Sequence, residues 1–355
     1  MGMTISKREY YIDNVRTLII LSLFIVHACE IYHIGDGFYI EGPELLAPTL
    51  AYSFFASFIM SVLFFFAGNA AVFSLHRRGI KGFYLNRCAK LLLPAAVGMA
   101  TFLPLTAWFV LKSHFDFQGN FLDACKYYFT HCTDFYGYDG ALAPYHLWFL
   151  IYLFAISLVC FPLVYFYDKL RSHFADFKFG TKWLLLLMPT MLLINYGPGD
   201  EEIPRFLLYF ILGIILAENQ SFSDYLEKKG KIVLLTGIII NIAAAFLILR
   251  IKEGNIFTFA YLWRKTVWTV ASVLMTLGSI AMGKIFLNNT NKIARFFSKQ
   301  SFLIYYFHMS FLIASGYFAL KLNIHYALQI LFTIATSFVC AVIASTICAA
   351  LAPSK

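Results

Sequence analysis

Charged residues are scarce in this chain. Only 13% of its 355 residues are Asp, Glu, Lys or Arg, and 60% are hydrophobic, whereas a soluble domain carries about 25% charged residues. Most of the chain must therefore face something other than water. The net charge of +9 is spread between apolar runs and does not form a patch, which argues against nucleic acid as a partner.

The seven cysteines form no CxxC pair and no metal-ligand spacing. We therefore expect no metal site, and we expect no permanently bound cofactor. The sequence does not decide whether Cys125 and Cys132 form a disulfide. Seven helical residues would separate the two by ~10 Å along the axis, which is too far for a bridge. The chain also lacks internal repeats, low-complexity tracts and an appended soluble domain, so residues 1–355 are interpreted as one membrane domain.

Long apolar runs are abundant, and a membrane-spanning helix needs about 20 such residues. The sequence predicts an all-α, polytopic bundle of about ten transmembrane helices. They are placed at 15–34, 49–74, 91–111, 145–167, 183–196, 205–218, 232–250, 266–286, 301–320 and 326–351. The fifth and sixth are short, and a re-entrant hairpin around Asn195–Pro204 is the alternative.

The positive residues give the expected orientation. With the N-terminus inside, 20 of the 28 Lys and Arg residues fall on the cytoplasmic side of this topology and eight on the outer side. Positive residues favour the cytoplasmic side. Both termini are therefore predicted to be cytoplasmic, in a bacterial inner membrane.

Ionisable residues inside a bilayer are costly and are functional candidates by default. Arg16 and His27 are 11 residues apart in the first helix, which places them within 20° of one another on one face. Glu30 follows His27 at i+3, on the same side. We expect this stripe to face inward, with His27 near mid-membrane and Glu30 orienting its ring for proton transfer or acyl transfer. A helix-packing network of hydrogen bonds is the alternative.

Two further segments carry candidate site residues. In SFLIYYFH the spacing places Ser301, Tyr305 and His308 on one helix face, with His308 near the depth of His27. In HLWFL, His146 and Trp148 open the fourth helix at its outer end. They are candidate substrate-binding residues, although a His and a Trp there would also serve as an interfacial anchor.

Two loops are also candidates. A cytoplasmic basic segment could bind phosphate groups or simply anchor the chain by the positive-inside rule; its residues are Arg77, Arg78, Lys81, Arg87 and Lys90. The long outer loop at 112–144 suits a sugar-like ligand or an interfacial amphipathic segment. Its acids and tyrosines are Asp116, Asp123, Asp134, Asp139, Tyr127, Tyr128, Tyr136 and Tyr138.

Together these segments resemble acyltransferase family 3. The resemblance is carried, in family order over residues 10 to 310, by YIDNVRTLIILSLFIVHA, FFFAGNAAVF, FYLNRCAKLLLP, HLWFL, FLLYFILGIIL and SFLIYYFH. The first segment holds Arg16 and His27 at the family's R-x10-H spacing, and the third holds Arg87 and Lys90. The branch that decorates periplasmic glucans is the most similar in character.

The resemblance implies a ten-helix enzyme that moves an acyl group, commonly acetyl or succinyl, from cytoplasmic acyl-CoA to a hydroxyl outside. His27 would be the catalytic histidine and Arg16 its partner. Arg87 and Lys90 would match a donor-associated R-x-x-R in which Lys replaces the second Arg and loses its planar fork. The acceptor would be a cell-envelope carbohydrate or glycolipid, with membrane lipid around the bundle. The alternative functions are a transporter or flippase of a glycan or lipid precursor, and a noncatalytic membrane scaffold.

Overall fold

The architecture is helical throughout. The computed structural model describes residues 9–35, 37–195, 202–250 and 258–351, and these ranges contain no β-strand. The predicted all-α class is thus confirmed.

Fifteen α-helices form within the described ranges, together with a π-helical segment at Cys88–Leu92 and a 3₁₀ turn at Tyr145–Leu147. The α-helices are α1 (Tyr10–Glu30), α2 (Leu46–Ala56), α3 (Ile59–Arg87), α4 (Leu93–Thr101), α5 (Leu103–His114), α6 (Phe121–Thr130), α7 (Trp148–Val159), α8 (Phe161–Tyr165), α9 (Tyr167–Asp176), α10 (Thr181–Asn195), α11 (Glu202–Ile215), α12 (Gln220–Arg250), α13 (Phe259–Phe286), α14 (Lys292–Leu320) and α15 (Tyr326–Leu351).

Several of these helices are long and apolar enough to cross a bilayer. In the part of the chain that the structure describes, six pass this test: Tyr10–Glu30, Leu46–Thr101, Gln220–Arg250, Phe259–Phe286, Lys292–Leu320 and Tyr326–Leu351. A bent pair, Lys169–Asp176 with Thr181–Ile194, meets at 114° and could count as a seventh. The chain is therefore an integral membrane protein, while the ten spans stay a prediction.

The predicted helix ends agree best near the C-terminus. The helix expected at 326–351 is α15 with the same bounds. The helix expected at 301–320 begins earlier, at Lys292, and the one expected at 232–250 begins at Gln220. Both extensions are polar, and polar residues continue a helix readily once they leave the apolar layer.

Three predicted spans are interrupted, and the one expected at 145–167 is broken at Cys160 and at Phe166. The helix expected at 49–74 is broken between Ala56 and Ile59, and the one expected at 91–111 is broken at Phe102. The break at Phe102 lies just before a proline in the first turn of α5. A proline lacks the N–H that a continuing helix would need.

The proposed re-entrant hairpin at Asn195–Pro204 lies mostly outside the described residues. On its two sides, α10 and α11 occupy the positions expected for helices five and six.

The chain divides into two compact units. The first consists of Met1–Ile19, Ala56–Val72 and Leu163–Lys299. Within it, α3 and α11 approach so closely that a Cβ at Gly68 would collide with the Phe210 carbonyl and one at Gly213 with the Phe65 carbonyl. Glycine at both positions is what permits backbone contact between membrane helices.

The second unit consists of Ile20–Phe55, Phe73–Pro162 and Gln300–Lys355. Within it, α14 is joined to α5 by a buried hydrogen bond between Ser310 and Thr106 at 2.6 Å. In the same unit the Tyr32 hydroxyl donates to Gln329 of α15 at 2.8 Å. This unit contains His27 and Glu30 and all of the candidate substrate-binding residues.

Candidate active site

The last turn of α1 carries an imidazole–carboxylate pair. His27 Nδ1 lies 2.6 Å from Glu30 Oε2, and the two side chains are 20% and 17% exposed. A carboxylate only accepts, so Nδ1 carries the proton and donates it, which leaves a lone pair on Nε2. The pair is partly open, so a small group can approach that nitrogen.

The first helix ends four residues earlier than expected, at Glu30 rather than residue 34. His27 is therefore one turn from the end of α1, and the predicted end of this helix is corrected. The chain turns at this point because backbone groups after Glu30 bond among themselves: the Gly42 N–H donates to the Ile31 carbonyl at 2.7 Å, and the Leu45 N–H to the Tyr32 carbonyl at 2.9 Å.

Residues 31–35 and 37–45 form a covering segment over this end of α1. The Phe38 ring lies parallel to the His27 ring, with 5.7 Å between centroids and 5° between planes. Phe38 is itself held in place, since His114 of α5 donates from Nε2 to its carbonyl at 2.7 Å. The Tyr39 hydroxyl donates to the Tyr136 carbonyl at 3.0 Å, and burial raises the pKa of Tyr39 well above its ordinary value.

Two more histidines complete what we call the histidine cluster, His27, His146 and His308. The His308 ring lies 5.6 Å from that of His27 and 5.0 Å from that of His146, measured between centroids. The sequence placed His308 near the depth of His27, and the structure brings their rings together. In the described residues, no three His, Cys, Asp or Glu side chains are arranged to hold a metal ion.

Backbone carbonyls fix the orientation of the two inner rings. His308 Nδ1 lies 2.5 Å from the Tyr305 carbonyl, and His146 Nε2 lies 3.1 Å from the Tyr306 carbonyl. The Tyr305 hydroxyl donates in turn to the His146 carbonyl at 2.6 Å. Tyr305 is thus a structural link between α14 and the 3₁₀ turn, since its one proton is already committed.

The backbone next to His146 is strained. Tyr145 has φ of +50°, and Gly137 opposite it has φ of +81°. A Cβ at Gly137 would lie 2.5 Å from the Tyr145 ring, so glycine is needed there both for the backbone angle and for the close approach. Left-handed angles at residues other than glycine are uncommon and occur often at functional sites.

Trp148 and Ser301 are the other two candidate substrate-binding residues. The Trp148 ring packs edge-on against Tyr152 at 5.0 Å. Ser301 is half-buried and precedes His308 by seven residues of α14, or ~10 Å along the axis. The structure therefore joins three of the five candidate substrate-binding residues, namely His146, Tyr305 and His308.

The basic residues lie on α3 and the π-helical segment. Arg77, Arg78 and Lys90 are exposed, while half-buried Arg87 stacks over the Phe83 ring at 5.1 Å. Lys90 lies within the π-helical segment, a rare distortion that is frequent at functional sites. These residues are accessible to an anionic ligand.

Arg16 belongs to the first unit. Its side chain is exposed. The predicted inward-facing stripe therefore has two partly buried members, His27 and Glu30, and one exposed member. Arg16 and His27 share one helix face because α1 is continuous between them.

The outer loop contains a short helix and several local turns. Asp123 forms a capping box with Asn120 at the start of α6. Asp134 accepts from the Tyr136 N–H at 2.5 Å. Burial of Asp139 works against its ionisation, but hydrogen bonds from the Thr133 hydroxyl and the Ala141 N–H outweigh this and lower its pKa. These three acids hold the loop together locally, as structural residues do.

The outer loop contains no disulfide between Cys125 and Cys132. Cys125 lies within α6 and Cys132 just beyond it, and both are free, like the other five cysteines. The exposed apolar side chains of α6, Leu122 and Phe129, are typical of an interfacial amphipathic helix.

Two residues of the site were missed by sequence reasoning. Phe38 and His114 lie in an irregular segment and at the end of α5, and neither belongs to a motif. No periodicity or spacing in the sequence signals that Phe38 stacks on His27.

Comparison with known proteins identifies the family of this chain. No curated protein and no solved structure matches the chain. The model of the acyltransferase 3 domain family matches residues 9–351, nearly the whole chain, in agreement with the motif resemblance. The chain belongs to acyltransferase family 3 and is a membrane acyltransferase.

Proposed function

We propose that the protein is an O-acyltransferase of the bacterial cytoplasmic membrane. It takes an acyl group, acetyl or succinyl, from cytoplasmic acyl-CoA and transfers it to a hydroxyl of a cell-envelope carbohydrate or glycolipid. The observation that carries the proposal is the His27–Glu30 pair, in which Nδ1 is committed to a carboxylate and Nε2 keeps its lone pair. A base held by a third group is the arrangement that activates hydroxyl nucleophiles.

His27 Nε2 takes the proton from the acceptor hydroxyl as its oxygen attacks the thioester carbonyl. The new C–O bond forms, the C–S bond breaks, and the thiolate of CoA takes the proton back from His27. The products are the O-acyl ester and free CoA. Glu30 keeps the ring in the tautomer that this step needs, because its carboxylate accepts the Nδ1 proton throughout. Transfer of the acyl group to His27 itself is the other course that this geometry allows.

The donor's phosphates bind on the cytoplasmic side. Arg77, Arg78, Arg87 and Lys90 supply the positive charge, and arginine pairs with phosphate through two parallel hydrogen bonds. Arg16 lies on the same helix as His27 and acts from the cytoplasmic end of α1. The proposal includes ten spans with both termini in the cytoplasm, as the distribution of positive residues favours.

The acceptor approaches from the outer side. Tyr136 and Tyr138 of the outer loop and Trp148 at the start of α7 give it a surface. The resemblance to glucan-decorating proteins supports a carbohydrate. The acids of the outer loop are left out of this role, since Asp123, Asp134 and Asp139 already bind their own turns.

The test is His27→Ala, assayed for transfer and for folded abundance in the same membranes, with acetyl-CoA and succinyl-CoA as donors and an envelope carbohydrate extract as acceptor. Loss of general-base catalysis lowers turnover by roughly two orders of magnitude or more, with abundance and melting temperature unchanged. Near-normal transfer per folded molecule would reject the mechanism and favour a transporter of a glycan or lipid precursor.

A further inference from the structure

Two buried ring nitrogens have no hydrogen-bond partner among the described residues. They are His146 Nδ1 and His308 Nε2, on side chains whose residues are 5% and 1% exposed. Buried polar atoms are nearly always paired, so each exception calls for an explanation. Both belong to the histidine cluster, which makes a shared explanation reasonable.

The partners of the opposite nitrogens determine what these atoms can do. His308 Nδ1 and His146 Nε2 each face a backbone carbonyl, and a carbonyl only accepts. The ring protons must therefore sit on those nitrogens, and in the neutral rings the unpartnered atoms carry lone pairs. Both are hydrogen-bond acceptors, and they require a donor.

The groups that touch the two rings do not supply that donor. The Tyr305 hydroxyl donates to the His146 carbonyl. Phe24 packs edge-on against His308 at 5.7 Å, and Phe102 lies 6.4 Å from His146; both are apolar. The third histidine, His27, donates from Nδ1 to Glu30 and keeps only a lone pair at Nε2.

The number of acceptors indicates the kind of ligand. A hydroxyl group donates one proton, so two acceptors beside the reactive histidine suit a ligand with at least two hydroxyls besides the one that reacts. An amide would bring a carbonyl oxygen into a cluster whose own donors are already committed. A polyol avoids this, because each hydroxyl both donates and accepts.

We infer that His308 Nε2 and His146 Nδ1 accept hydrogen bonds from two non-reacting hydroxyls of the acyl acceptor, and so aim its third hydroxyl at His27. The inference rests on the proposed function and adds that the acceptor presents three hydroxyls to the histidine cluster. His146 and His308 are then positioning residues, and they select which hydroxyl is acylated.

Asparagine and glutamine separate the two nitrogens of each ring. The amide of Asn reaches about as far as histidine Nδ1, and that of Gln about as far as Nε2. His308→Asn therefore keeps the bond to the Tyr305 carbonyl and loses the free acceptor, whereas His308→Gln restores an acceptor and loses that bond. At His146 the roles reverse: Gln keeps the bond to the Tyr306 carbonyl, and Asn restores the free acceptor.

The experiment measures full-length protein in membranes with the acyl-CoA that the unsubstituted protein uses and an envelope carbohydrate extract. We expect His308→Asn and His146→Gln to raise the KM for the acceptor about tenfold, the cost of one lost hydrogen bond. His308→Gln and His146→Asn should stay within about threefold. The KM for acyl-CoA should not change in any of the four.

A purely structural role predicts the opposite order, because His308→Asn and His146→Gln keep the internal bonds and should be the benign pair in both activity and melting temperature. That order would overturn the inference. A raised KM for acyl-CoA in this pair would assign the nitrogens to amides of the donor and would also overturn it. Failure of the unsubstituted protein to transfer or hydrolyse would instead reject the proposed function. Because His146 and His308 each have their own pair of Asn and Gln variants, misfolding of the variants at one position leaves the comparison at the other position decisive.

Discussion

The reactivity of a histidine depends on which ring nitrogen is free. In His27, Glu30 takes Nδ1 at 2.6 Å and Phe38 covers one face of the ring. In His146 and His308 backbone carbonyls take one nitrogen each. Only the first of the three has a carboxylate partner, which can compensate a positive charge that develops on the ring during proton transfer.

Removal of the Glu30 carboxylate should therefore lower turnover without affecting donor binding. We expect Glu30→Ala to reduce kcat roughly ten- to a hundredfold, as the loss of a partner that orients a functional histidine does, and Glu30→Gln to retain more activity because its amide oxygen can still accept from Nδ1. Steady-state kinetics would show this as a fall in kcat at constant KM for acyl-CoA. Glu41→Ala, at an exposed glutamate of the covering segment, is the control. Equal activities of the Glu30 and Glu41 variants would contradict the prediction.

Charge reversal in the basic segment should act on the donor alone. Arg87→Glu or Lys90→Glu should raise the KM for acyl-CoA roughly ten- to a hundredfold, the range expected for lost charged hydrogen bonds, with the KM for the acceptor unchanged. Lys90→Arg should be tolerated. Lys126→Glu, at an exposed lysine of α6, serves as the matched charge reversal. An unchanged KM for acyl-CoA in both variants would remove the two residues from the donor site.

At the scale of elements, the site combines α1 and α14 with pieces that are not regular transmembrane helices. The covering segment, the 3₁₀ turn and the strained Tyr145 hold His27 and His146 in position. Irregular backbone in a membrane protein is tolerated where it is buried in protein or lines a cavity. Its presence here follows from bonds such as that between His114 and the Phe38 carbonyl.

The contact between Gly137 and Tyr145 provides a test of this geometry. Gly137→Ala should destabilise the fold by about 1–2 kcal/mol through its left-handed backbone angle and should also lower transfer, because the new methyl group displaces Tyr145 and with it His146. Gly180→Ala is the control, because Gly180 has no positive φ and nothing lies within 4 Å of an added Cβ, so this variant should keep stability and transfer. If the two variants transfer equally per folded molecule, Tyr145 does not position the site.

Sequence periodicity predicts elements well where a helix is uniformly apolar, and α15 has the predicted bounds. It fails where local chemistry determines the end of a helix, as at the break before α5 and at the end of α1 after Glu30. The same holds for the site. Helical spacing correctly predicted that His27 and Glu30 are neighbours. The approach of His146 and His308 depends on tertiary packing, and nothing in the sequence indicates that Phe38 contacts His27.

At the scale of the whole molecule, the scarcity of charge and the distribution of positive residues determine how the chain inserts. Reporter fusions after residues 80, 175 and 290 should report cytoplasm, and fusions after 40, 130 and 323 should report the outer side, because positive residues are retained inside. The fusion after 175 is decisive, since this position lies among Lys169, Arg171, Lys178 and Lys182. An outer signal there would reverse half of the proposed topology.

The distance of His27 from the start of α1 sets a length that the proposed donor has to match. His27 is 17 residues beyond Tyr10, the first residue of the helix, which corresponds to ~25 Å at the rise of an α-helix. An acyl carrier whose phosphates stay at the start of α1 has to reach across that distance to deliver its cargo. A compact acyl phosphate is too short to span this distance. A thioester at the end of a long, narrow chain can reach His27 while the anionic end of the molecule stays in water.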